Sequence, residues 1–223
     1  LLGRCRATRP PGRRLGTLNP RTGSPAFEEA LINVIQLALP GGARFVQSSV
    51  ADTNTPDDRQ PERTHGRRWV LAAKEDTLAA AIEIAAVAQR GLAILTPDLE
   101  AGVYDHERFL EIVKHLVLAK RFARVRVLIS EPQRTIRLGN RLVALGRRLN
   151  TYIEFRNVHE DYREHREAFL LADDVALLYR INHARWEGIA DTYEPAVARR
   201  YLTLFEEIWT ASETSQELRQ LRI

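Results

Sequence analysis

Methionine is absent from the 223 residues, and cysteine occurs once, at Cys5. A single thiol cannot close an intramolecular disulfide, which excludes the small stapled scaffolds of secreted proteins. With no apolar export segment in the sequence, the expectation is a reducing, cytoplasmic setting. The missing methionine, with Leu1 in first place, reads as a fragment or a non-standard start. No apolar run approaches the ~18 residues that span a bilayer, so no membrane segment is expected. Lysine is scarce too: Lys74, Lys114 and Lys120 are the three among 33 basic residues, leaving arginine to carry nearly all the positive charge. Aromatic residues make up 7% and none is interleaved along the basic stretch at 134–149, so no stacking platform for single-stranded nucleic acid is expected.

Several chemistries are excluded by spacing. His65, His106, His115, His159, His165 and His183 show neither H-x-x-x-H nor H-E-x-x-H, so no metal centre is expected. Pro40-Gly41-Gly42-Ala43 lacks the lysine and hydroxyl of a phosphate-binding loop, and no serine sits in a G-x-S-x-G elbow. No cofactor is implied.

What is present is an ordinary globular composition, 44% hydrophobic and 28% charged, in a chain that suits one domain of about 150 residues plus an extension. Charge is uneven. Residues 1–27 hold Arg4, Arg6, Arg9, Arg13, Arg14 and Arg21 and no acid, for +6; residues 120–148 carry +8, with Glu131 the lone acid. The whole-chain charge of +4 leaves −10 for the remainder. Either basic region would draw a polyanion by Coulomb attraction and counterion release, although a solvated helix face is the plainer alternative.

Residues 1–66 mix Arg, Pro, Gly and Thr and read as a basic, largely disordered extension, with one helix expected over 24–39 behind the Ser24-Pro25 start signal. From Trp69 onward short apolar runs alternate with amphipathic stretches, the pattern of an α/β domain over 67–212 with a mixed sheet flanked by helices. Strands are predicted at 69–71, 92–96, 125–129, 152–155 and 188–190, and a hairpin at 169–171 and 175–178. Helices are predicted at 76–90 with Gly91 as C-cap, from Asp105 onward, at 134–149 and at 195–209. Leu138, Leu142, Leu145 and Leu149 form the apolar side of the 134–149 helix, and Arg134, Arg137, Arg141 and Arg148 form a basic stripe on another. Residues 213–223 read as a tail, loose or docked.

The order of elements, the hairpin Ala168-Phe169-Leu170-Leu171-Ala172-Asp173-Asp174-Val175-Ala176-Leu177-Leu178 and the closing Phe205-Glu206-Glu207-Ile208-Trp209 resemble one repeat of the phospholipase D-like superfamily over residues 69–210. More narrowly, the sequence resembles an uncharacterised bacterial family of single-repeat domains sometimes found with acetyltransferase domains. The resemblance implies a hairpin carrying H-x-K-x-x-x-x-D, whose histidine attacks phosphorus and whose lysine neutralises phosphate oxygens. Anchored on Asp173, this chain has Arg166 for the histidine and Ala168 for the lysine; slid to use His165, it has Glu167 for the lysine and Ala172 for the aspartate. An always-protonated guanidinium cannot attack, and alanine offers no charge. The family's G-S-x-N corresponds to Tyr179-Arg180-Ile181-Asn182, keeping the asparagine. Since active members join two motifs across a pseudo-twofold axis, catalysis would also require a homodimer.

Three expectations follow. The first is a non-catalytic domain that recognises a phosphate-bearing ligand or nucleic acid through Arg166, Arg180, Asn182 and the stripe. The alternative for these residues is local pairing: Arg166 with Glu164 or Glu167, Arg180 with Asp191, and Asp173 making the turn. The second expectation is a phosphodiesterase or nuclease using His159 or His165 in an unconventional arrangement. The third is a structural partner domain, for which an acetyltransferase is the partner the resemblance suggests.

Overall fold

A computed structural model describes residues 66–219. The helix expected at 24–39 and the rest of residues 1–65 lie outside the described residues. β1 (Arg68–Leu71), α1 (Lys74–Val87), β2 (Gly91–Thr96), α2 (Glu107–Ala119) and β3 (Arg124–Ile129) come first. They are followed by α3 (Pro132–Leu138), α4 (Arg141–Arg148), β4 (Ile153–Asn157) and a single 3-10 turn at Glu160–Tyr162. β5 (Ala168–Ala172), β6 (Ala176–Arg180), β7 (Gly188–Asp191), α5 (Pro195–Ala211), β8 (Glu213–Thr214) and α6 (Gln216–Arg219) complete the described chain.

All the strands join one sheet in the order β1-β7-β6-β5-β2-β3-β4-β8. β2, β3 and β4 are mutually parallel, and every other pairing is antiparallel. This is the mixed α/β sheet that the alternation of runs predicts. Side chains alternate between faces along each strand. Leu92, Ile94, Val125, Val127, Phe155, Leu170 and Leu178 belong to the main core, with α1, α2 and α4. The alternate residues Phe169 and Tyr179 meet Tyr201 and Phe205 of α5 on the opposite face. The sheet is thus covered by several helices on one side and by α5 on the other.

α1 buries Thr77, Ala80, Ala81, Ile84 and Ala85, a face of mostly small residues beside Leu78 and Ile82. Both of those remain half-buried at its flank. Its start is fixed by Asp76, whose carboxylate accepts the Ala72 and Ala73 N–H groups at 3.1 and 3.0 Å. The helix stops at Val87, so Gly91 is not its C-cap. Gly91 instead opens β2, where an added Cβ would lie 2.3 Å from the Arg124 carbonyl oxygen. α2 begins after His106 rather than at Asp105, whose carboxylate accepts the Gly102 N–H. Phe109, Val113, Leu116 and Val117 form its buried face.

The largest departure from the sequence reading is at 134–149. In place of one helix there are two, separated by Gly139 at φ 72° and Asn140, whose side-chain oxygen accepts the Leu142 N–H at 2.8 Å and caps α4. Leu142 is buried, while Leu138 is 72% exposed rather than in the core. The four arginines therefore do not form one continuous stripe. Past α5, the segment read as a tail docks through residue 219: β8 pairs with β4, and Leu218 is buried.

Candidate functional site

Parallel strands end together, and the crevice beyond their carboxyl ends is where α/β sheets gather ligand-binding side chains. Here that edge holds the loop after β2 (97–106), the start of α3 after β3, the loop after β4, and the mouth of the β5–β6 hairpin. Two cavities open there. One, of about 490 Å³, is lined by Asp98, Glu100, Glu131, Arg134, Asn140, His183 and Trp186 among others. The second, of about 480 Å³, lies beside it and is lined by Ser130, Gln133, Arg134, Arg137, Asn157 and Arg163 among others.

At the first cavity Arg180 is 1% exposed and forms an ion pair with Glu100, itself 8% exposed. Arg180 also donates to the carbonyls of His183 and Arg185 at 3.3 and 3.0 Å, and its guanidinium lies 5.0 Å from the Trp186 ring centre. Its Nε has no partner among the described residues. Glu100 accepts the Thr96 hydroxyl at 2.7 Å. Burial pushes the Glu100 carboxyl above its ordinary range, against the downward pull of Arg180 and Thr96. The pairing of Arg180 with Asp191 does not form; Asp191 is bound by Arg68 at 2.7 Å.

The hairpin brings Arg166, Arg180 and Asn182 to one end of the sheet, since Ala168 pairs with Arg180 and the His183 N–H donates to the Arg166 carbonyl at 2.6 Å. Their side chains are differently occupied. Arg166 is exposed and makes no salt bridge among the described residues, so its pairing with Glu164 or Glu167 is not seen. Asn182 accepts the Ala184 N–H at 2.9 Å and shapes the turn. Ala168 is 1% exposed.

Asp173 lies at the far turn of the hairpin, with φ 54°, and accepts the N–H groups of Gln89, Arg90 and Gly91 at 2.7, 2.7 and 2.8 Å. It positions backbone rather than a reacting group. Glu167, next to Ala168, accepts the Tyr179 hydroxyl at 2.8 Å. Burial raises that phenol's pKa, so it stays a hydrogen-bond donor.

His159 and His165 are both exposed, in the segment between β4 and β5. His159 Nδ1 lies 3.3 Å from Asp161, and His165 stacks on Tyr162 at 5.8 Å with Glu167 3.8 Å away. The former stripe divides. Arg134 binds Asp98 at 3.0 Å and shares the second cavity with Arg137 and Arg163, whose partner is Glu160 at 3.5 Å. Arg141 and Arg148 line a different groove with Glu107, Glu111 and Lys114. Arg163 was missed in the sequence because a loop has no period to mark it. Asn157 Oδ1, also at the second cavity, is buried without a partner among the described residues. Among the described residues no group of three or more His, Cys, Asp or Glu side chains could hold a metal ion, and no helix is long and apolar enough to cross a membrane.

A family model described as Domain of unknown function (DUF7931) matches residues 73–221, the greater part of the chain. The chain belongs to this family. None of the curated proteins compared with it matches. Among solved structures the DUF7931 domain is similar to TrmBL2, an archaeal chromatin protein with a novel mode of DNA binding. That likeness has a TM-score of 0.51 and 14% identity over 85% of this chain and 62% of that one. This chain therefore spans less than two thirds of the TrmBL2 chain. It is also similar to Nuc from Salmonella typhimurium, a phospholipase D family member, at TM-score 0.49 and 16% identity over 68% of this chain and 99% of that one. NucT from Helicobacter pylori gives TM-score 0.46 and 11% identity over 68% and 100%. At these identities the likeness concerns fold alone.

Proposed function

We propose that this DUF7931 domain is a phospholipase D-like binding module that holds a phosphate-bearing ligand without cleaving it. The observation that carries the reading is the convergence of Arg134, Arg137 and Arg163 on one cavity of about 480 Å³ at the carboxyl ends of β3 and β4, with Ser130 and Gln133 as further hydrogen-bonding groups. Glu131 also lines it, Asp98 and Glu160 hold Arg134 and Arg163, and Arg137 forms no salt bridge among the described residues. Guanidinium forks suit phosphate oxygens, and serine and glutamine side chains supply neutral donors. Cleavage has little support: the position of the expected nucleophile is an arginine, Arg166, and that of the expected lysine is the buried Ala168. Arg166, exposed at the hairpin mouth, adds positive charge to the same end of the sheet. Arg180 contributes by holding the wall of the neighbouring cavity, its own charge being offset by Glu100.

Calorimetric titration with inorganic tripolyphosphate tests the reading. Binding that weakens as salt rises, and that is lost in an Arg137→Glu, Arg163→Glu variant with an unchanged melting temperature, is the expected result. Saturable binding indifferent to that variant would contradict it. Turnover of a model phosphodiester by wild type, abolished in a His159→Ala, His165→Ala variant, would favour the enzymatic reading instead.

A further inference from the structure

The opposite end of the sheet, at the amino ends of β2 and β3, carries a second basic surface of a different kind. A groove of about 570 Å³ is lined by Arg90, Leu92, Phe122, Arg124, Arg126 and Leu202 among others. Lys120 and Arg121 precede Phe122 in the turn between α2 and β3. Arg90, Lys120, Arg121 and Arg124 take part in no salt bridge among the described residues. Adjacent strand ends hold two of them together: the Arg124 N–H donates to the Arg90 carbonyl at 3.0 Å. Lys120 binds the neutral Gln89 side chain. Arg124 donates to the carbonyls of Ala123 and Arg121 and lies 5.5 Å from the Tyr152 ring centre, contacts that involve no acid.

The acids facing the groove are otherwise engaged. Asp173 is bound by three backbone N–H groups and sets one acid against the four cations, Asp174 pairs with Arg199 at 3.0 Å, and Glu206 pairs with Arg126 at 2.7 Å. Arg90 adds a weaker downward pull on the Asp174 carboxyl without contacting it. The surplus is positive.

In the middle of these cations stands Phe122, 83% exposed, with the Arg121 guanidinium 5.8 Å from its ring centre. Leaving a phenyl ring in water forgoes its burial energy, and a ring beside guanidinium groups that form no salt bridge among the described residues is complementary to a base attached to phosphates. A duplex hides its base faces, whereas a single strand exposes them. A flat lipid surface fits a concave groove less well than a chain does.

We infer that this groove binds single-stranded nucleic acid, with Phe122 stacking on a base and Arg90, Lys120, Arg121 and Arg124 neutralising flanking phosphates. The inference is independent of the cavity at β3 and β4.

Fluorescence anisotropy of a labelled oligothymidylate across a salt series tests it. Phe122→Ala is expected to weaken binding about ten-fold while Phe122→Trp retains it, the scale of one lost base stack. Arg121→Glu with Arg124→Glu is expected to abolish measurable binding, and Arg121→Ala alone to reduce the salt slope by about one. Phe122, Arg121 and Arg124 are all exposed, so none of these changes removes core packing, and an unchanged melting temperature checks this for Arg124→Glu, which loses its carbonyl bonds. The Arg137→Glu, Arg163→Glu variant should bind the oligonucleotide within about two-fold of wild type, separating this groove from the other cavity. The proposal is overturned by absent oligonucleotide binding at low salt, by equal binding of wild type and Phe122→Ala, or by loss of binding only in the Arg137→Glu, Arg163→Glu variant. Phe122-dependent capture by phosphatidylserine vesicles without oligonucleotide binding overturns it in favour of a lipid surface.

Discussion

Arg180 and Glu100 stand 80 residues apart in sequence and form an ion pair closed off from solvent at the end of the sheet. Two consecutive alternations set it up. Ala176, Leu178 and Arg180 share one face of β6, so the strand that builds the core also drives a guanidinium inward at its end. The loop after β2 brings Glu100 against it, and Trp186 covers the guanidinium. A charge buried this deeply is tolerated because its partner is buried with it.

Arg180→Met should therefore destabilise the domain by about 3–5 kcal/mol, since it leaves the Glu100 carboxyl buried without its counter-charge. The double variant Arg180→Met, Glu100→Leu should recover most of that loss, because apolar replacement of a whole buried pair is often neutral or better. Urea unfolding of the two variants and wild type measures both. Equal losses in the single and double variants would show that the pair is not the source of the cost.

Glu100 also gives the fold a pH dependence with a definite sign. Burial raises its carboxyl above the ordinary 4.5, so the folded state holds the proton more tightly than the unfolded chain. That contribution to stability is fully present below the unfolded value and is lost as pH rises through the folded one. Glu100→Gln removes the titration. Wild type should therefore lose stability relative to Glu100→Gln as pH rises above about 4.5. Urea midpoints of both proteins across that window check the sign, and a relative gain for wild type would reverse it.

The sheet was legible in the sequence because its signals are local: Leu92 to Leu95 and Val127 to Ile129 are buried apolar runs, and Phe169 to Leu178 fold about the turn at Asp173. Phe109, Val113 and Leu116 likewise declare the buried face of α2 by spacing alone. The site was less legible because its relationships are not local. Nothing in the spacing links Arg180 to Glu100 rather than Asp191, or brings Arg163 beside Arg137. Phe122 was invisible for a related reason: exposure depends on the turn between α2 and β3, and a single phenylalanine beside an apolar helix reads as core.

Asp173 should prove a strong local determinant. Its carboxylate accepts three backbone N–H groups where α1 passes into β2, and its left-handed φ of 54° suits aspartate or asparagine better than most residues. Asp173→Ala removes three charge-assisted hydrogen bonds and puts alanine at a positive φ, and is expected to cost about 2–4 kcal/mol. The amides of Gln89, Arg90 and Gly91 should then exchange with deuterium markedly faster than those of α2. Uniform acceleration across the domain would instead point to a purely global effect.

Gly139 decides whether residues 132–148 are one helix or two. Its φ of 72° and ψ of 154° lie where a Cβ is strongly disfavoured, yet an added Cβ would meet nothing within 4 Å. The cost of Gly139→Ala is therefore a backbone cost, about 1–3 kcal/mol, without a packing penalty. Asn140 opposes the alternative of a fused helix, since its side chain caps α4 at Leu142 and donates to the Leu99 carbonyl at 3.1 Å. Gly139→Ala alone should lower the unfolding midpoint with unchanged helix content. Adding Asn140→Ala removes the cap and should raise helical circular dichroism as the two segments join. An unchanged midpoint in Gly139→Ala would mean that the break does not depend on the glycine.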